Sequence, residues 1–245
     1  MPYIKEVCVA GKTIEVSRYY TYRYGKRGEK RAGNFKPTVE AQKRANQRQA
    51  EKNLRRLMNA NFEDGDYLLR LDFSRENFPP GSGEMQNKME QFIRRLRTKF
   101  KKLGNILKYI YVKEIGPRGG RHAHMLINKC DTDILMECWG YGGIHIDPLN
   151  SGGQYAKIAA YFVKYAHRTE QTEGQLIGKR WYASRNLIRP EPKKRVVNAG
   201  SFRQQAKDRT GYFVEKESIQ YGISEMTGHE FFTYTLIKTD KRGQG

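Results

Sequence analysis

Hydrophobic residues recur along this chain at two spacings, and each spacing predicts its own kind of element. Met85, Met89, Phe92, Ile93, Leu96, Phe100 and Leu103 return every three or four positions, with Gly104 behind them. This is the buried stripe of an amphipathic helix whose other face carries Arg94, Arg95, Arg97, Lys99, Lys101 and Lys102, a solvated face or one that touches DNA. Residues 38–61 read as a second helix, with Pro37 near its start, Glu40 in its first turn and Arg55 and Arg56 toward its end, as the helix dipole prefers. Its apolar positions are sparse until Leu54, Leu57, Met58 and Phe62, so only its last turns are expected to dock. Strands are predicted at DYLLRLDF (66–73), NILKYIYVKEI (105–115) and RHAHMLIN (121–128), and GPRGG between the last two makes them an antiparallel hairpin. A helix over 131–139 capped by Asp131, a strand over 143–149, a helix over 153–168 and a strand over 179–184 follow. The order β, α, β, β, α, β, α, β predicts an α+β fold: an antiparallel sheet with helices packed on one side of it.

The ends read differently. Residues 5–16 suggest a hairpin turning at Ala10-Gly11-Lys12. Residues 17–36 hold seven Lys/Arg, four tyrosines and one acid, without a core pattern. Such a segment is either a solvated arm or one lying on nucleic acid, with Arg18, Arg23, Lys26 and Arg27 on phosphates and tyrosines on bases. Near the other end, PEPKKR (190–195) reads as a basic linker, 200–209 as a short helix, and YGISEMTGHEFFTYTLIK as one or two strands. The expected division is an arm and helix over 1–62, a central domain over 63–188, and an extension over 189–245. That extension either packs on the central domain, binds the chain's polyanionic target or forms a dimer contact.

Composition narrows the partners. Lys and Arg number 46 against 26 Asp and Glu, a formal net charge of +20. Such a field favours polyanions, because each neutralised phosphate releases counterions. No basic amphipathic anchor and no apolar run near membrane-spanning length is visible, so no membrane partner is expected. The start, MPYIKEVCVAGK, lacks a signal peptide's apolar stretch, and a cytoplasmic location is expected. Cys8, Cys130 and Cys138 have no C-x-x-C spacing, which implies reduced thiols and no structural zinc. No G-x-x-x-x-G-K-[ST] loop appears.

Candidate chemistry centres on His122 and His124. Two apart in a strand, they point to the same face, and a short hairpin lets Glu114 reach that face. Two imidazoles and one carboxylate leave positions open on a divalent ion, as a metal that binds a substrate oxygen requires. An H-x-H pair alone also fits two satisfied histidines. The downstream helix adds weight to the metal reading. Tyr155, Ile158, Ala159, Phe162, Val163 and Ala166 form its buried face, while Lys157, Tyr161, Lys164 and Arg168 gather on the other. A tyrosine among three cations fits a nucleophile, since positive charge favours phenolate and the same cations hold a phosphodiester. Tyr165 is a second nucleophile or a packing residue, Lys164 steadies the phosphate or the metal-site geometry, and His145 and His167 are structural histidines or spare ligands.

The H-x-H strand His122-Ala123-His124, Glu114 eight residues before it, and the later helix Ala160-Tyr161-Phe162-Val163-Lys164 resemble the HUH endonuclease superfamily. More narrowly they are similar to rolling-circle replication initiators of bacterial plasmids and phages. KYIYVKEIGPRGGRHAHMLIN and GKRWYASRNL also look like stretches of single-domain members. Conjugative relaxases commonly place the tyrosine ahead of the histidines, and small transposases of the superfamily are generally shorter. Where family members often have a Thr-rich first strand, this chain reads LLRLDFS, with Asp72 near the site. The resemblance implies a split βαβ, ferredoxin-like core and a nickase and strand transferase. Mg²⁺ or Mn²⁺ would sit on Glu114, His122 and His124, and Tyr161 would form a 5′-phosphotyrosine link and free a 3′-OH. Lys157, Arg168, Arg118 and Arg121 would join the arm's cations on single-stranded DNA or an origin hairpin. A host helicase and DNA polymerase would be partners in a bacterial cytoplasm. The alternatives are a non-catalytic single-strand-binding module, a water-using metal hydrolase, and an HUH transposase or relaxase.

Overall fold

A computed structural model describes residues 2–20, 37–116, 119–172 and 180–239, with the side chains of 167–172 outside that description. Arg23, Lys26, Arg27 and Arg118 lie outside the described residues, as do most of the basic arm and the side chains of His167 and Arg168. In chain order the elements are β1 (Tyr3–Ala10), β2 (Thr13–Tyr19), α1 (Val39–Asn59), β3 (Tyr67–Asp72), α2 (Ser82–Lys102), β4 (Tyr109–Ile115) and β5 (Arg121–Ile127). They continue as α3 (Thr132–Trp139), β6 (Ile144–Pro148), α4 (Ala156–Thr172), β7 (Tyr182–Ala183), β8 (Lys193–Val197), β9 (Tyr212–Ile223) and β10 (Glu230–Lys238). The chain is α+β, with two antiparallel sheets. It divides into two compact units: Asn61–Ile188, and a discontinuous one made of Met1–Ala60 with Arg189–Gly245. Among the described residues no helix is long and apolar enough to cross a membrane.

In the Asn61–Ile188 unit the strands run in the order β6-β3-β5-β4-β7, every pairing antiparallel. Because β5 lies between β3 and β4, β3-α2-β4 is a split βαβ unit. Strand alternation then sorts the side chains. Leu69, Leu71, Tyr111, Ala123, Met125 and Ile127 share one core with Met89, Phe92, Leu96 and Phe100 of α2 and Trp139 of α3. The intervening residues, including His122 and His124, take the other face, and α4 packs there on β4. Helices thus cover both faces, where the sequence reading expected one side only. The near-continuous burial of β4 and β5 is the reason, because neither face can be left to water. Asp131 caps α3 by accepting from Asp133 N at 3.0 Å, and Gly140 ends it in the left-handed region. Gly142, with φ +158, has no room for a Cβ, which would run into the backbone of Asp72 and Ser74.

The discontinuous unit carries the sheet β8-β1-β2-β10-β9. Residues 193–195 of the expected linker instead begin the edge strand β8 on β1, and lysines suit such an edge. The short helix expected over 200–209 is absent; Phe202 and Ala206 lie on the sheet core, and Arg18 donates to the carbonyls of Arg203 and Gln205, which a helix would need for itself. Thr38 Oγ1 caps α1 by accepting from Ala41 N at 3.1 Å. Leu54, Leu57 and Met58 are buried, as the pattern predicts, but beside them runs a charged layer. Arg56, only 6 % exposed, donates to Glu6 at 2.9 Å and to Glu15 at 2.7 Å, while Lys52 and Arg55 bind the same carboxylates. Burial alone would raise the Glu6 carboxyl; Lys52 and Arg56 outweigh it and hold the group at about 2.

Arg56→Ala removes the buried cation shared by Glu6 and Glu15, leaving them to the more exposed Lys52 and Arg55, and urea unfolding at neutral pH should show a loss approaching ~3 kcal/mol. Because the Glu6 pKa falls from 4.5 to about 2 on folding, its contribution is complete above about 4.5 and disappears as pH drops toward 2. Unchanged stability of the variant would contradict this role for the charged layer.

Candidate active site

The β4–β5 hairpin sets the site. Its register pairs Glu114 with His122 and Val112 with His124, and the turn closes with Gly116 N donating to Gly120 O at 2.7 Å. Glu114 Oε2 accepts from His122 Nε2 at 2.9 Å and from His124 Nε2 at 3.0 Å. Glu114 and His124 are buried, 4 % and 5 % exposed. Burial would raise the Glu114 carboxyl, but the two imidazole hydrogen bonds overcome it and set the group at about 2. One ligand atom from each residue lies within 4.8 Å of the others, so the three can hold a metal ion. The donor chemistry fits a divalent cation with coordination positions left over.

Tyr161 of α4 completes the geometry, its hydroxyl 3.2 Å from His124 Nε2. That one nitrogen faces both Glu114 and the phenol. Carrying a proton it donates to Glu114; without one it can accept from Tyr161. Burial is the largest influence on Tyr161 and raises its pKa, Tyr165 and Glu114 raise it further, and Arg70 pulls the other way. The helix cations were expected to favour phenolate; instead partial desolvation of this otherwise exposed side chain, with Tyr165 and Glu114 beside it, keeps the hydroxyl protonated, and the opposing cation comes from β3. The Tyr165 ring stands edge-on to Tyr161 at 4.1 Å between centroids and 5.6 Å from the His124 ring. Tyr165 therefore packs against both, within the same cluster.

Beside this cluster opens a cleft of about 490 Å³, lined by Arg70, His124, His145, Asp147, Lys157 and Tyr161 among others. Lys157 reaches the cleft; Lys164 is exposed and is not part of its lining. Arg121 donates to Pro79 O at 3.1 Å and covers the Phe78 ring, so it belongs to that loop. Arg18 sits in the discontinuous unit over the Phe232 ring. Asp72, opposite His122 across β3–β5, accepts from Arg70 Nε at 3.1 Å and lies 3.6 Å from His145. Sequence reasoning missed Arg70 and Asp147. The signal for Arg70 was alternation, since a cation inside LLRLDF two residues before Asp72 must share its face.

Residues 66–170 match the family model of the replication-associated protein ORF2/G2P. That span runs from β3 into α4 and includes Arg70, Glu114, His122, His124 and Tyr161. The matched span covers less than half of the chain. No curated protein and no solved structure matches the chain.

With no metal added, NMR titration of ring-labelled tyrosine, with Tyr161 assigned through Tyr161→Phe, should place its phenolate above the free-tyrosine range. Glu114→Gln removes a charge that disfavours phenolate and should move the titration down; Arg70→Gln should move it up. Titration of Tyr161 at the free-tyrosine value in all three proteins would contradict the geometry.

Proposed function

We propose that this chain initiates rolling-circle replication by nicking single-stranded or extruded origin DNA. The observation that carries the reading is the approach of the Tyr161 hydroxyl, 3.2 Å from His124, to the Glu114, His122 and His124 cluster that can hold a metal. That approach supports the reading of Tyr161 as the nucleophile and of the cluster as the site that receives a scissile phosphate. Glu114, His122 and His124 would hold Mg²⁺ or Mn²⁺, which would supply Lewis acidity toward a phosphate oxygen.

The chain's own residues do the rest. Lys157 and Arg70, both lining the cleft, hold the phosphodiester by charge. Tyr161 Oη bonds to phosphorus as the bond to the 3′ oxygen breaks; the phenol gives up its proton and the 3′ oxygen gains one. A 5′-phosphotyrosine and a free 3′-OH result, and reversal by a second 3′-OH reseals the strand. Tyr165, in ring contact with Tyr161, positions the nucleophile. The 3′-OH primes a host DNA polymerase and a host helicase separates the strands, in the bacterial cytoplasm where a plasmid or phage replicates.

Incubation with Mn²⁺ and labelled single-stranded DNA, followed by a denaturing gel and peptide mapping, should give a covalent adduct on Tyr161. Tyr161→Phe should abolish the adduct, and His124→Ala should abolish nicking with little loss of DNA binding. Cleavage that survives in Tyr161→Phe would mean that water is the nucleophile and the reading is wrong.

A further inference from the structure

The opposite face of the same sheet carries a second cleft, of about 640 Å³, between α2 and the β4–β7 edge. Alternation along β4 sends Glu114 toward α4 but Tyr109 and Tyr111 toward α2. Tyr111 pairs with Tyr182 of β7, and their rings stack 4.8 Å apart at an interplanar angle of 9°. The Tyr109 ring follows at 6.1 Å from that of Tyr111. Three tyrosines therefore make one aromatic wall. Tyr111 is buried and exchanges hydrogen bonds with the Gln86 amide at 3.1 and 3.3 Å, which fixes the middle of the wall. Tyr109 and Tyr182 remain half-exposed at its ends.

The helix side offers polar groups of two kinds. Gln86 and Glu90, joined at 2.8 Å, present amide and carboxylate edges near the rings. Arg94 and Arg97 stand exposed on the lining, and neither is paired with a carboxylate among the described residues. The Arg97 charge acts on the Tyr109 hydroxyl, which ties the cation to the aromatic wall. A core needs none of these exposed groups, and a solvated helix face does not need the tyrosines. Together they suit a ligand with a flat heteroaromatic ring, polar ring edges and an attached anion.

We propose that this cleft binds one nucleotide, its base against Tyr109 and Tyr182 and its phosphate on Arg94 and Arg97. The nucleotide is a neighbouring unit of the strand held at the other face, or a free nucleoside monophosphate. The first source rests on the nucleic-acid reading above. Tyr111 and Glu114 are three residues apart on β4, about 10 Å, so a strand rounding the β7 edge serves both faces.

The test uses the full chain with metal chelated, so that it reads binding independently of nicking. A short single-stranded oligodeoxynucleotide carrying 5-iodouracil is irradiated with the protein and the cross-link mapped by mass spectrometry. The cross-link is expected on Tyr109 or Tyr182. Affinity for the unmodified oligonucleotide should fall about tenfold in Tyr182→Leu and in the Arg94→Gln, Arg97→Gln double variant. The double variant alters exposed side chains only, and its thermal unfolding should match wild type. Competition of the cross-link by a deoxynucleoside monophosphate assigns the site to free nucleotides as well; absence of competition assigns it to the strand. Cross-links confined to other residues, with wild-type affinity in the double variant, overturn the proposal. A cross-link at Tyr182 in a protein that forms no Tyr161 adduct would retain this cleft and remove the nickase.

Discussion

The register of the β4–β5 hairpin governs the rest of the site. Glu114 stands opposite His122, so its carboxylate reaches both imidazoles on one sheet face, and α4 can then bring Tyr161 to His124. A slip of one residue would send both histidines into the core formed with α2 and α3. That slip is prevented by packing rather than by the site. Ala123, Met125 and Ile127 are completely buried on the α2 face, and any other register would exchange them for imidazoles. The hydrophobic core thus enforces the placement of three polar groups whose burial would be costly if they did not hydrogen-bond one another.

Burial has a second consequence. Tyr161 sits where its phenol is favoured over phenolate, and Glu114 is held ionised beside it. The resting site therefore concentrates negative charge at the point where the ligand atoms converge, an arrangement that attracts a cation before it attracts phosphate. Arg70 and Lys157, set back along the cleft, provide the opposite sign for a polyanion. Separating the two signs within one cleft would let a cation and a polyanion bind side by side.

Much of this was legible in the sequence because it is local. His122 and His124 share a face by strand period, Glu114 is one short turn away, and Tyr161 falls opposite the apolar stripe of its helix. The placement of helices on both faces was less visible, although the apolar runs in YIYV and MLI are what a doubly covered strand requires. Arg70 had a local signal in the alternation of β3, but the cleft it lines is assembled from β3, β5, β6 and α4, which no local pattern records. The second sheet escaped altogether as a unit: β1 and β2 join β8 and β10 across most of the chain, and no local period records such a pairing. Arg55 and Arg56, explained at first by the helix dipole, proved to bind buried carboxylates on those strands.

Calorimetric titration of the full chain with Mn²⁺ tests the central claim most directly. The account predicts one specific site whose affinity falls about 100-fold or more in Glu114→Gln, since even groups that only support a ligand cost 10- to 100-fold, while loss of the hydroxyl in Tyr161→Phe should leave binding in place. Equal, weak binding by wild type and Glu114→Gln would show that the three residues are a hydrogen-bonded cluster and not a metal centre.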